Sequence, residues 1–149
     1  MSDSTLEIDA SRLDRQLARL ATFTHAEPAA EGTAVTRMVF TEDDLAARAW
    51  LRSLAVETGL AVREDAVGNL FFRLEGSEAT LPAVATGSHM DAIPHAGMYD
   101  GTVGVLAGLE ALRAIAAAGV KLKHSLEAVL FTSEEPTRFG IGCLGSRLL

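Results

Sequence analysis

Five side chains of this sequence have types and spacings that could do chemistry together: His89, Asp91, Asp100, Glu134 and Glu135. A neutral imidazole nitrogen suits borderline divalent ions, and carboxylates suit harder ones. A carboxylate can also bridge two cations about 3.5–4 Å apart, the spacing of many hydrolytic two-metal sites. Crowded together without a cation, these groups would repel and desolvate one another. Asp100 is the natural bridge. Asp91, two positions beyond His89, can accept the second ring N–H of that histidine, which fixes its tautomer and raises its basicity. Glu134 and Glu135 are adjacent, and in an extended chain adjacent side chains point apart. One of the pair then ligates while the other faces a bound water, as a general base must. Each feature taken singly has a blander reading: a chance His-x-Asp, a solvated turn at a strand end, an Asp that only caps a helix. What raises them above chance is joint placement.

That placement requires three segments to reach one edge of a sheet. Pro82 precedes a short apolar strand, Ala83 to Thr86, and the stretch GSHMDAIPHAGMYDG (87–101) follows it as a loop. Its first four letters resemble a purification-tag remnant, but such remnants lie at a terminus, and this one is read as native. A helix is predicted from Asp100 to Ala118. Val103, Leu106, Leu109, Leu112 and Ile115 form its apolar stripe, and Gly119 stops it. A strand from Ser125 to Thr132 follows, with an apolar run over 128–131 that predicts burial on both faces. Strand, crossover helix, strand is a βαβ unit. If the strands are parallel, their carboxyl ends share an edge, where ligand sites of open α/β sheets collect. Upstream, a helix is predicted over 9–24, a loop over 26–36, and a helix from Thr41, capped with Asp44, to Gly59. A short extended piece over 62–64, a turn over 65–69 and a strand over 70–74 complete the chain. The predicted fold is α/β, a mixed sheet flanked by helices.

The bulk properties exclude several classes. The chain has 149 residues, 48% hydrophobic and 22% charged, enough for one globular core. A net charge of -7 argues against a nucleic-acid footprint and a polybasic membrane anchor. No apolar run reaches the roughly 18 residues that span a bilayer, and the N-terminus has no signal-peptide pattern. Cys143 is the single cysteine, so no internal disulfide can form, which fits a reducing cytoplasm. With no base partner in view, Cys143 reads as a buried small residue. His25, His95 and His124 read as loop or surface residues. Gly140, Gly142 and Gly145 read as turn-formers; no Walker A pattern is present.

GSHMDAIPHAGMYDGTVGVLAGLEAL and FTSEEPTRFGIGCLGSRLL together resemble the M20-type binuclear metallohydrolases. More narrowly, they look like the ureide branch: ureidoglycolate, allantoate and N-carbamoyl-amino-acid amidohydrolases. The resemblance runs from about Trp50 to the end and is strongest at 87–113 and 130–149. It implies a zinc-peptidase-like catalytic domain with two divalent ions, Mn2+ or Zn2+. It makes His89 a ligand of one metal, Asp100 the bridge, Glu135 a ligand of the other, Glu134 the general base and Asp91 the orienting residue. It also implies a homodimer and a cytoplasmic location. SEEPTRFG, with Pro136 and Thr137, looks most like ureidoglycolate amidohydrolases; carbamoylases more often carry Gly and Ser there. Family members are far longer. Beyond the Glu pair they supply a further His to each metal and a lid and dimerisation domain. No His or Asp follows Glu135 here. Residues 1–149 are therefore expected to be the N-terminal, truncated part of the catalytic domain, offering each metal two ligands with Asp100 shared. The expected reaction is hydrolysis of a linear amide C–N bond in a small ureide. Ureidoglycolate, giving ammonia, carbon dioxide and glyoxylate, comes first, then allantoate or an N-carbamoyl amino acid. An M20-type peptidase or N-acyl-amino-acid deacylase, and an inactive fragment, are the alternatives. No substrate-binding residue is assigned.

Overall fold

Ten elements follow one another in the computed structural model, which describes residues 6–27 and 32–149. They are α1 (Ala10–Ala21), β1 (Ala34–Arg37), α2 (Glu42–Glu57), β2 (Ala61–Glu64), β3 (Leu70–Leu74), β4 (Val84–Ser88), β5 (Ala92–Gly97), α3 (Thr102–Ala117), β6 (Leu126–Leu130) and α4 (Leu144–Arg147). The main sheet has the order β2-β3-β6-β4. Its β2/β3 and β3/β6 pairs are antiparallel, and β4/β6 is parallel. The expected mixed sheet flanked by helices is what the chain builds. The parallel ladder runs from Val84 opposite Leu126 to Ser88 opposite Leu130. The Phe131 N–H donates to the Ser88 carbonyl at 2.7 Å and carries the pairing one step further. The two carboxyl ends therefore lie side by side.

Local chemistry explains the helices. Asp9 caps α1 by accepting from the Arg12 N–H at 2.8 Å. Thr41 caps α2, and Glu42, Asp43 and Asp44 fill its first turn, where the helix dipole favours negative charge. Gly59, at φ 80°, then takes the left-handed turn that ends it. Helix α3 lies close on the sheet because it is small where they touch. A methyl at Gly104 would stand 2.6 Å from the Ser88 Cβ, and one at Gly108 3.2 Å from the Ala128 Cβ. The core joins Leu17 and Leu20 of α1, Leu51 of α2, Phe72 of β3, Leu106 of α3 and Leu130 of β6. As predicted, β6 is buried on both faces from Glu127 to Leu130.

Two predicted loops need correction. The segment read as a loop over 26–36 ends in β1, although residues 28–31 of it lie outside the described residues. The 87–101 loop contains β5, which pairs antiparallel with β1 in a separate two-stranded sheet. Neither strand has an apolar run, and Pro94, a residue poor in strand interiors, stands within β5. Their stability comes from distant partners. Arg37, fully buried, donates from Nε to the Met90 carbonyl at 2.9 Å, and from Nη1 to the Leu20 and Phe23 carbonyls at 2.8 and 2.9 Å. Burial lowers its pKa to about 10. Among the described residues no helix is long and apolar enough to cross a membrane.

Candidate active site

His89 follows the last residue of β4 and is 8% exposed. Its Nδ1 lies 3.0 Å from the backbone carbonyl of Asp91. A carbonyl only accepts, so Nδ1 carries the proton and Nε2 keeps its lone pair. Nε2 stands 3.6 Å from Glu134 Oε2 and 3.8 Å from Asp100 Oδ1. Gly101 makes room for the ring. At φ 66° it adopts a backbone that favours glycine, and a Cβ there would lie 2.5 Å from the imidazole.

Asp91 orients the site by a route different from the one expected. Its carbonyl holds the ring, while its carboxylate lies 3.7 Å from Nδ1. The carboxylate instead accepts the Glu134 N–H at 3.2 Å and the Glu135 N–H at 2.9 Å. One buried residue thus ties the end of β4 to the end of β6. Burial pushes its pKa above the usual carboxylate range, although the two N–H groups and His89 pull it down.

Between β6 and the glutamates lies Ser133, buried and left-handed at φ 53°. The chain kinks there instead of staying extended. Glu135 is held above its ordinary pKa, first by burial and then by the negative charges of Glu134, Asp100 and Asp91, with His89 opposing. Asp100 is not a helix cap: the N-cap of α3 is Gly101, without a side-chain hydrogen bond. The Asp100 side chain, 61% exposed, is left to the site. The side chains of Asp91, Asp100 and Glu134 therefore gather within 4 Å of the His89 ring nitrogens, and Glu135 joins them through its N–H on Asp91. His25 bonds Asp43 and His124 bonds the Pro82 carbonyl, while His95, read as a loop residue, lies exposed on strand β5.

Cys143 corrects the sequence reading. Its thiol donates to Glu134 Oε1 at 3.3 Å, and its N–H donates to the Glu134 carbonyl at 2.7 Å. The hydrogen bond to Glu134, then burial, pushes the thiol pKa up, which keeps it a donor. The contact arises because the loop after Glu135 folds back, and no local signal announces that return.

A divalent ion fixes the spacing its ligand atoms must have. Two ligand atoms about 2.1 Å from a tetrahedral cation stand about 3.4 Å apart. The 3.6 and 3.8 Å separations around Nε2 are close to that value. An imidazole nitrogen with a free lone pair facing carboxylates is also suitable chemistry. Yet among the described residues no three His, Cys, Asp or Glu side chains form a metal-holding group. The pair distances fit a cation, and the set is a partial one.

The model of peptidase family M28 matches residues 69–149, which include all five side chains. The chain belongs to peptidase family M28. Within that frame, it is 53% identical over 146 residues to the ureidoglycolate hydrolase of Arabidopsis thaliana, a match covering 98% of this chain and 30% of that protein. It is 40% identical over 140 residues to the N-carbamoyl-L-amino-acid amidohydrolase of Paenarthrobacter aurescens, covering 94% and 33%. The crystal structure of AtUAH in complex with glyoxylate superposes with a TM-score of 0.92 at 53% identity, over 98% of this M28 chain and 34% of that one. The chain thus spans about a third of the length of these relatives. The ureide amidohydrolases expected from the two motifs are among its relatives.

Proposed function

We propose that this chain supplies the N-terminal part of the catalytic domain of a metal-dependent amidohydrolase that cleaves a linear amide C–N bond in a small ureide. Ureidoglycolate is the first substrate, with release of ammonia, carbon dioxide and glyoxylate. Allantoate and N-carbamoyl amino acids are the next. The observation that carries the reading is the 53% identity to a ureidoglycolate hydrolase across 98% of the chain. In this reading two divalent ions, Mn2+ or Zn2+, are held by His89, Asp100 and Glu135 with ligands from the rest of the protein. When bound, such ions supply Lewis-acid activation of water and of the substrate carbonyl. Glu134 takes the proton from the attacking water and returns it to the leaving nitrogen. Its Oε2 faces His89 while Cys143 holds its Oε1, so one oxygen is kept for the proton. Asp91 holds His89 and both glutamates in register. A homodimer and a cytoplasmic location belong to the same proposal.

The test is Glu134→Gln in the full-length protein, with His89→Ala beside it. Glu134→Gln is expected to abolish ammonia release from ureidoglycolate and to keep its metal by elemental analysis. His89→Ala is expected to lose metal. Turnover at the wild-type rate in Glu134→Gln would remove the base from this role. A second reading, a peptidase or N-acyl-amino-acid deacylase on the same core, is favoured by the M28 family match. A panel of ureides against dipeptides and N-acyl amino acids separates the two.

A further inference from the structure

We infer that Asn69 is a positioning residue for the two glutamates, closing the loop that carries them by gripping both of its ends. The inference rests on the reading of Glu134 and Glu135 as the working carboxylates. Asn69 is fully buried, one residue before β3. Its Oδ1 accepts the Thr132 N–H at 2.8 Å, and its Nδ2 donates to the Gly145 carbonyl at 3.0 Å. Thr132 and Gly145 bracket the glutamates, Cys143 and the left-handed Ser133, and also bond each other, Gly145 N–H to Thr132 O at 2.8 Å.

Three further observations support the grip. The amide is itself aimed: Asp65 Oδ2 accepts from Nδ2 at 2.7 Å, and Asp65 Oδ1 accepts the Asn69 N–H at 2.8 Å. Those bonds fix which end of the amide is the donor. Gly145 is shaped to the same contact, since a Cβ there would run into Asn69 Oδ1 and stand 2.6 Å from the Thr132 nitrogen. Arg48 backs the arrangement, donating to the Gly68 carbonyl at 2.7 Å and to Thr132 Oγ1 at 3.3 Å. Asp91 then takes hold of the next two N–H groups, those of Glu134 and Glu135. Ser133 is trapped between two grips, which explains how a buried serine stays left-handed.

The experiment compares Asn69→Ala, Asn69→Asp and the double variant Asp65→Asn plus Asn69→Asp in the full-length protein, with Glu134→Gln as reference. Asn69→Asp keeps the acceptor for Thr132 but turns a carboxylate oxygen toward both Asp65 and Gly145. The double variant restores a donor–acceptor pair between 65 and 69 and leaves the Gly145 carbonyl without its donor. Melting temperature is expected to fall in both single variants and to recover in the double. The kcat is expected to fall tenfold or more in all three, about the effect of losing an outer partner of an active-site group, with KM nearly unchanged. Hydrogen exchange is expected to speed up over 132–145 and to stay unchanged in β3 and β6. If the double variant regains kcat together with melting temperature, or 132–145 exchanges at the wild-type rate in Asn69→Ala, Asn69 is a folding residue only. Should a variant fold too poorly for kinetics, the exchange pattern of the remaining ones decides. Wild-type turnover in Glu134→Gln would overturn the reading of the glutamates instead, whatever Asn69 does.

Discussion

At the residue scale, the site is made by backbone as much as by side chains. The carbonyl of Asp91 leaves His89 Nε2 as the open nitrogen, and its carboxylate holds two N–H groups of the opposite strand end. Gly101 lets the imidazole sit where it does, so Gly101→Ala strikes it directly. The new methyl would stand 2.5 Å from the ring on a backbone at φ 66°. Loss of about 1–3 kcal/mol of stability is expected from the left-handed conformation alone. Reduced metal content in the full-length protein, measured by elemental analysis, is expected with it; full metal content would mean that the ring can yield. The acids and the histidine were legible because their types limit what they can do and because a βαβ unit gathers strand ends. Gly101, Asn69 and Gly145 were not legible as site residues. Their roles depend on which atoms come close, and Asn69 meets Gly145 across 76 positions of sequence.

At the element scale, α1 is docked on α3 through one buried carboxylate. Glu110, 1% exposed, accepts from Arg12 at 2.6 and 2.9 Å, from Arg113 at 2.9 Å and from the Asp9 N–H at 3.0 Å. Burial alone would raise its pKa, but the hydrogen bonds from Arg12, Asp9 and Arg113 together outweigh burial and lower it. The sign follows from proton linkage. A carboxylate with a lowered folded pKa stabilises the fold above its ordinary value of about 4.3, and that contribution is lost as pH falls through the folded value. The urea midpoint of the wild type is therefore expected to drop more steeply between pH 6 and pH 3 than that of Glu110→Gln. Parallel slopes would mean that the Arg12 and Arg113 contacts are neutral in energy. Element by element, α1, α2, α3, β3 and β6 were legible from apolar periodicity and caps. The β1 and β5 strands were not, because a two-stranded ribbon held by Arg37 and by long-range pairing needs no apolar run of its own.

At the scale of the whole molecule, the main sheet is covered unevenly. Strand β4 pairs with β6 on one side and has no ladder partner on the other among the described strands; Val84 through Gly87 are exposed. An open strand edge is a template for pairing with another chain. Val84→Lys, at a position 58% exposed, is expected to reduce self-association of the 149-residue chain in light scattering. Unchanged scattering would point to another surface. The parallel joining of β4 and β6 also sorts the chain by how freely its length can vary. Residues added in the turn after α3, at the far end of the sheet, would be absorbed there without moving a reacting atom. A single residue lost between Leu130 and Glu134 would drag the carboxylates out of reach of Nε2. Natural variation in length should therefore gather at the amino ends of these strands and be almost absent beyond their carboxyl ends.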